Sequence, residues 1–358
     1  MQTAEVISSE GRKYRQWVKN GLHSDFILVS NSGERFNVHR VFLAARSDFM
    51  RNHFKEWSCN ELHVDVPSLV IKCLIEYIYC DVVNFPEAFD LIQPLMNIAE
   101  LWQLNPLCYH LHRRFLHKTR DKQQFSSIDK EIYAFYQSNS AEDLFPDVIL
   151  HSESEVFHAH KVILATHSNY FRSLFSGGWG DLKPRDGIPT LQIFNFSEGL
   201  LDFFYSGQVD LEKETVNYVI ELIKLAHYFA VESLVDICEE KLISEISYDT
   251  YSILWQMASE YMLSDLQTAT VKFLEENFSY CAAQPNFLSL TNKEIIVASL
   301  HSGNIDMESE PLQTIVMKWV KANNYKTPEE FFPPNVLFNQ ETKNFIWGTE
   351  FSWDRLIN

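Results

Sequence analysis

Long apolar runs are absent from this sequence of 358 residues. None approaches the roughly 20 residues that a membrane-spanning helix requires, so no span is expected. The opening stretch, MQTAEVISSEGRKYRQW, lacks the apolar core that a secretory signal carries. Cysteine is scarce, and Cys59, Cys73, Cys80, Cys108, Cys238 and Cys281 form no CxxC pair and sit mostly in apolar helical patterns. The expectation is reduced, buried thiols in an intracellular protein, cytoplasmic or nuclear. Positive charge is short as well: 30 Lys and Arg stand against 48 Asp and Glu. The deficit lies beyond residue 122, where 15 basic residues face 34 acidic ones, while residues 1–122 hold 15 and 14. Such a surface repels phosphate backbones, which argues against nucleic acid as a partner. It either steers a basic partner or simply keeps the protein soluble. Catalytic motifs are missing too. The glycine-rich stretch Ser176-Gly177-Gly178-Trp179-Gly180 fits neither a dinucleotide fingerprint, a P-loop nor a nucleophile elbow. No catalytic residue, cofactor site or metal site is expected, and an enzyme has no sequence feature to rest on.

What the chain does contain is one unit written twice. FNVHRVFLAARSDFMRNHF (36–54) and FHAHKVILATHSNYFRSLF (157–175) align at an offset of 121 without a gap. Phe36, His39, Val41, Leu43, Ala44, Ser47, Arg51 and Phe54 meet Phe157, His160, Val162, Leu164, Ala165, Ser168, Arg172 and Phe175. Each copy reads as a strand end followed by two short helices broken at a serine, whose hydroxyl suits the start of the second helix. Upstream lie the Asp-led strands Asp25–Val29 and Asp147–Leu150, and the turn Asn31-Ser32-Gly33-Glu34 closes the first hairpin. Apolar spacing predicts closing helices that repeat at an offset of 127, pairing Leu95, Ala99 and Leu107 with Leu222, Ala226 and Leu234 and setting Trp102 opposite Phe229.

An Asp-led strand, a hairpin, a His and a serine-broken helix pair, in that order, resemble the BTB (POZ) domain. In both copies the resemblance assigns structural roles to Asp25, His39, Ser47, Asp147, His160 and Ser168. The second copy keeps the motif's Tyr170-Phe171 pair, whereas the first has Phe49-Met50. It also keeps Gly207 as a left-handed helix end where the first copy has Asp81. Further on, Ala258-Ser259-Glu260-Tyr261 and Phe273-Leu274-Glu275-Glu276-Asn277-Phe278 resemble the BACK domain that follows BTB in kelch-like proteins. Helices are expected there over 251–261, 266–278, 292–301 and 310–322. The fold class is then α+β: a leading helix (1–20), a first BTB domain (21–118) and a linker (119–143) around a helix Lys130–Gln137. A second BTB domain (144–246), a helical BACK-like domain (247–330) and an aromatic-rich segment (331–358) complete it. That last segment holds Phe331, Phe332, Phe338, Phe345, Trp347, Phe351 and Trp353. It either packs on the preceding helices or forms a strip for a partner, and it is too short for kelch repeats.

The histidines carry no Cys or carboxylate partner at ligand spacing, so they are expected to be buried, hydrogen-bonded and metal-free. Trp179-Gly180-Asp181 is the candidate contact. In BTB adaptors of cullin-3 a hydrophobic-x-acidic motif occupies this loop, its apolar side chain filling a pocket on the cullin. The resemblance therefore implies cullin-3 contacts at Trp179, Asp181, Tyr170 and Phe171, unless Trp179 folds back on its own domain. The corresponding place in the first copy, Glu56-Trp57-Ser58-Cys59, lacks the acid. The implied function is a substrate adaptor of a cullin-3 RING ubiquitin ligase, holding an unknown target protein. The alternative is a scaffold that assembles through its BTB domains in transcriptional or cytoskeletal complexes. BTB–BTB pairing is expected within the chain, with pairing between chains left open.

Overall fold

The computed structural model describes residues 9–56, 59–82, 89–115, 127–140, 143–153, 155–178, 183–185, 188–194, 196–284, 287, 296, 309–324, 336–339 and 344–347. The chain divides into two compact units, residues 1–210 with 225–234, and residues 211–224 with 235–358.

In the first unit, helix α1 (Ser9–Asn20) leads into strands β1 (Phe26–Val29) and β2 (Arg35–Val38). Gly33 (φ 81°) lets their connection turn, and the Ser30 N–H donates to the Glu34 carbonyl. Helices α2 (Arg40–Arg46) and α3 (Asp48–Glu56), strand β3 (Glu61–His63) and helix α4 (Ser68–Cys80) follow. β1 is central, antiparallel to β2 and parallel to β3. Helices α5 (Ile92–Leu101) and α6 (Asn105–Phe115) close the copy.

Helix α7 (Ile128–Ser138) opens the second copy. Strands β4 (Val148–His151) and β5 (Val156–Ala159), helices α8 (Lys161–His167) and α9 (Asn169–Ser173), strands β6 (Lys183–Arg185) and β7 (Ile188–Gln192), and helix α10 (Glu198–Ser206) come next. Its sheet has the order β5-β4-β7-β6, so the hairpin partner β6 is added to the first copy's pattern. Helices α11 (Val216–Tyr228) and α12 (Glu232–Ser244) follow, with 225–234 in the first unit and the rest in the second. The offset of 127 holds at the turn between each closing pair, where Gln103 (φ 56°) and Ala230 (φ 50°) share a left-handed backbone.

The two copies pack on each other within the chain. α7, which the sequence placed inside a linker, lies against α2 of the first copy and α10 of its own. α1 packs on α4 of its own copy and reaches α8 of the other. The leading helices are therefore equivalent, related by a register offset of 118. Arg51 of the first copy sits over the Phe135 ring (5.1 Å), and Arg172 of the second sits over Trp17 (5.9 Å). Phe54 meets Phe145 edge-on (5.5 Å), as His23 meets Phe175 (5.8 Å). This is a pseudo-twofold pair made from one polypeptide.

The second unit carries helices α13 (Tyr251–Glu260), α14 (Ser264–Glu276), α15 (Phe278–Ala283) and α16 (Ser309–Ala322). Tyr251, Trp255, Leu274, Phe278, Cys281, Phe287, Ile296, Val316, Trp319 and Val320 form its core. The start of α14 is held by a carboxylate: Glu239 Oε1 accepts from the Asp265 and Leu266 N–H groups at 3.1 and 2.9 Å. Apart from Ile296, the helix expected over 292–301 lies outside the described residues. In the aromatic-rich segment, strands β8 (Val336–Asn339) and β9 (Asn344–Trp347) pair as an antiparallel hairpin.

Candidate functional site

The repeated motif residues hold each copy together by the same bonds. Asp25 Oδ1 accepts from the Arg40 N–H at 2.8 Å, and Asp147 Oδ1 from the Lys161 N–H at 2.7 Å. Each aspartate thus pins the start of the first motif helix to the Asp-led strand. Ser47 Oγ accepts from the Met50 N–H (3.1 Å) and donates to the Trp102 carbonyl (2.6 Å). Ser168 does the same with the Phe171 N–H (3.0 Å) and the Phe229 carbonyl (2.5 Å). The helix break and the closing helices are tied by one hydroxyl in each copy.

His39 and His160 are buried at the starts of α2 and α8. Nε2 of His39 lies 2.9 Å from the Leu22 carbonyl and Nε2 of His160 lies 2.8 Å from that of Leu144. A carbonyl only accepts, so the proton sits on Nε2, and Nδ1 accepts from Tyr79 (2.9 Å) or Tyr205 (2.6 Å). Burial pushes both imidazoles down to about 4, and they stay neutral. Among the described residues no group of three or more His, Cys, Asp or Glu side chains is placed to hold a metal ion.

The pairing interface has two charged centres. In one, the buried Arg46 guanidinium meets the Asp81 carboxylate and the Tyr77 carbonyl of its own copy, and Glu131 of α7 at 2.8 Å. Burial alone would lower its pKa, but Asp81 and Glu131 outweigh that and hold it charged. In the other, Lys13 of α1 pairs with Asp129 of α7 at 2.9 Å and approaches His167 Nε2 at 3.5 Å, while the Tyr14 hydroxyl donates to Asp129 at 2.6 Å. The interface also holds a cavity of about 170 Å³ lined by His23, Ser24, Asp25, Asp147, Lys161 and Phe175. Burial pushes Asp25 up to about 6, and burial with the neighbouring Asp25 charge pushes Asp147 up to about 7. Sequence reasoning missed both charged centres: Arg46 stands in the repeated stretch at a position where the copies differ, Asp81 stands out in the sequence only as a helix end, and Lys13, Asp129 and Glu131 lie outside the repeat.

The expected contact residues separate. Trp179 and Asp181 lie outside the described residues. The loop leading to them leaves α9 through a single π-helical turn, Leu174–Gly178, in which Gly177 has φ 92°. Phe171 is fully buried, stacked on Phe229 (5.4 Å) and Phe175 (5.7 Å). This corrects the sequence expectation: Phe171 is a core residue, and any part it plays in a contact is to position its neighbour. Tyr170 is half-buried, edge-on to Phe229 (5.5 Å) and tilted against the exposed Tyr228 (6.0 Å). Tyr228 was not singled out from the sequence, where it reads as one more residue of a helical pattern.

Comparison with known proteins agrees with this architecture. The family described as BTB/POZ domain matches residues 14–119 and 135–246, and that described as BTB And C-terminal Kelch matches 252–335. The chain belongs to the BTB/POZ family, with a BACK domain after its second BTB copy. Relatives include Kelch-like protein 36 of Mus musculus, 29% identical over 178 residues, or 49% of this chain and 28% of that protein. Kelch-like protein 26 of Mus musculus is 33% identical over 153 residues, 42% of this chain and 24% of that protein. The matched stretch is thus less than a third of either relative's length. The solved BTB domain of human gigaxonin matches at 23% identity and a TM-score of 0.25, over 31% of this chain and 96% of that one. Among the described residues no helix is long and apolar enough to cross a membrane.

Proposed function

We propose that this chain is a non-enzymatic substrate adaptor of a cullin-3 RING ubiquitin ligase, with the cullin bound by the second BTB copy. The reading rests chiefly on one observation: Tyr170, half-buried on α9, tilts against the exposed Tyr228 at the end of α11, and from α9 the chain leads to Trp179-Gly180-Asp181. Large aromatics on a surface are the side chains that most often anchor protein interfaces. The function is recruitment: one face holds the cullin, another a target protein, and effective concentration brings ubiquitin transfer within reach. The internal pairing of the two copies counts against a scaffold that assembles through BTB contacts between chains, since the pairing faces are already occupied.

Titrating the N-terminal domain of cullin-3 against wild type and the variants Trp179→Ala, Asp181→Ala and Trp57→Ala tests this. Loss of Trp179 is expected to cost about 2 kcal/mol, a roughly thirtyfold weaker Kd. Asp181→Ala is expected to cost about 1 kcal/mol, because water screens a rim charge. Trp57→Ala, in the first copy, is expected to bind as wild type does. If wild type does not bind, or if Trp179→Ala binds equally well, the adaptor reading is wrong and the scaffold reading replaces it.

A further inference from the structure

The pseudo-twofold pair is built with reversed charges at equivalent positions. At the register offset of 118, Lys13 of α1 corresponds to Glu131 of α7, and at the motif offset of 121 Arg46 corresponds to His167. Lys13 faces His167 and Asp129 of the second copy, whereas Glu131 faces Arg46 of the first. The side chains concerned are largely withdrawn from water, at 26% and 9% exposure for Lys13 and Asp129 and 1% and 23% for Arg46 and Glu131. Charges so placed are only weakly screened.

Pairing like with like would break both centres. Two first copies would set Lys13 of one against Arg46 of the other. Two second copies would set Glu131 of one against Asp129 and the neutral His167 of the other. The first pairing sets Lys13 against a guanidinium that keeps Asp81 of its own copy but not Glu131, the second sets two carboxylates face to face, and like charges juxtaposed at an interface repel. Only the unlike pair meets opposite charge at both centres. We propose that Lys13 and Glu131, with Arg46 and Asp129 facing them, are the specificity residues of the BTB pairing surface. They make it accept only the unlike copy, so that the chain fills its own pairing site and is closed to a second copy of itself.

The test exchanges the two charges in the intact chain, Lys13→Glu together with Glu131→Lys, which leaves the net charge unchanged. The carboxylate introduced at position 13 would then face Asp129 within the chain. The ammonium introduced at position 131 would face Arg46, so the internal pair is penalised twice. Both like-with-like pairings between chains become complementary. The exchange must overcome an internal effective concentration of about 1 mM, roughly a thousandfold above a micromolar sample. Light scattering at micromolar concentration is expected to give the one-chain mass for wild type and the two-chain mass for the exchanged chain. A two-chain mass for wild type overturns the proposal, and so does a folded exchanged chain that keeps the one-chain mass. Should the exchanged chain fail to fold, a milder pair decides. Lys13→Glu alone is expected to lower the melting midpoint by about 5 °C or more, and adding Asp129→Lys to recover at least half of that loss. No recovery would overturn the proposal equally.

Discussion

Buried histidines and aspartates in the paired copies pull stability in opposite directions as pH changes. His39 and His160 are held at about 4 and His167 at about 3, in each case chiefly by burial, against an ordinary value of 6.5. As pH falls from about 6.5 toward 4, the unfolded chain takes up protons that these residues refuse when folded, so their contribution is lost in acid. Asp25 and Asp147, raised to about 6 and about 7, act in reverse. The folded state keeps their protons longer than the unfolded state, so their contribution is fully present below about pH 4 and is lost as pH rises through 6 to 7. Asp147→Asn, which keeps an oxygen for the Lys161 N–H but cannot ionise, removes one of the opposing slopes. Relative to wild type, this variant is expected to gain about 1 kcal/mol for each pH unit between 5 and 7. Urea midpoints measured across that range check it, and a difference that does not change with pH would refute the assignment.

Helix ends show how the two copies came to differ. Both α4 and α10 end on a left-handed residue, Asp81 (φ 57°) in the first copy and Gly207 (φ 67°) in the second. Glycine takes that conformation freely, while aspartate carries some strain. A Cβ at Gly207 would approach nothing closer than 3.9 Å, so the backbone alone makes glycine the better residue there. Gly207→Ala is expected to cost about 1 kcal/mol. Asp81 is kept for another reason: its carboxylate meets Arg46, and its second oxygen accepts from the Ile128 N–H at the start of α7 (3.2 Å). Asp81→Gly is therefore expected to destabilise by about 2 kcal/mol or more despite the easier backbone, because it strips a partner from a buried guanidinium. Denaturant midpoints for the two variants separate backbone preference from charge. The same element explains the reading of 119–143 as a linker. α7 is visible in the sequence through its apolar spacing, but only its packing on α2 and α10 reveals that it leads the second copy.

At the scale of the first unit, the copies share parts, so they are expected to lose structure together. α7 is bonded to the first copy through Glu131 and packs on α10 of the second. Arg46→Ala should then lower hydrogen-exchange protection in β4 and α8 as well as in β1 and α2, and loss confined to the first copy would show that the copies open independently. Much of this architecture was legible in the residues themselves. The repeat at an offset of 121, the Asp-led strands, the capping serines and the paired His positions are local or periodic, and a strand, cap or amphipathic helix is set by neighbours a few residues away. The same motifs named the fold. What the residues alone could not decide was which faces meet. Phe171 looked like a contact residue beside Tyr170, yet helix geometry turns one inward and leaves its neighbour at the surface. Lys13, Asp129 and Glu131 belong to no motif, Arg46 stands where the two copies of the motif differ, and their meaning lies in pairs far apart in the chain, which only the tertiary fold brings within ion-pair distance.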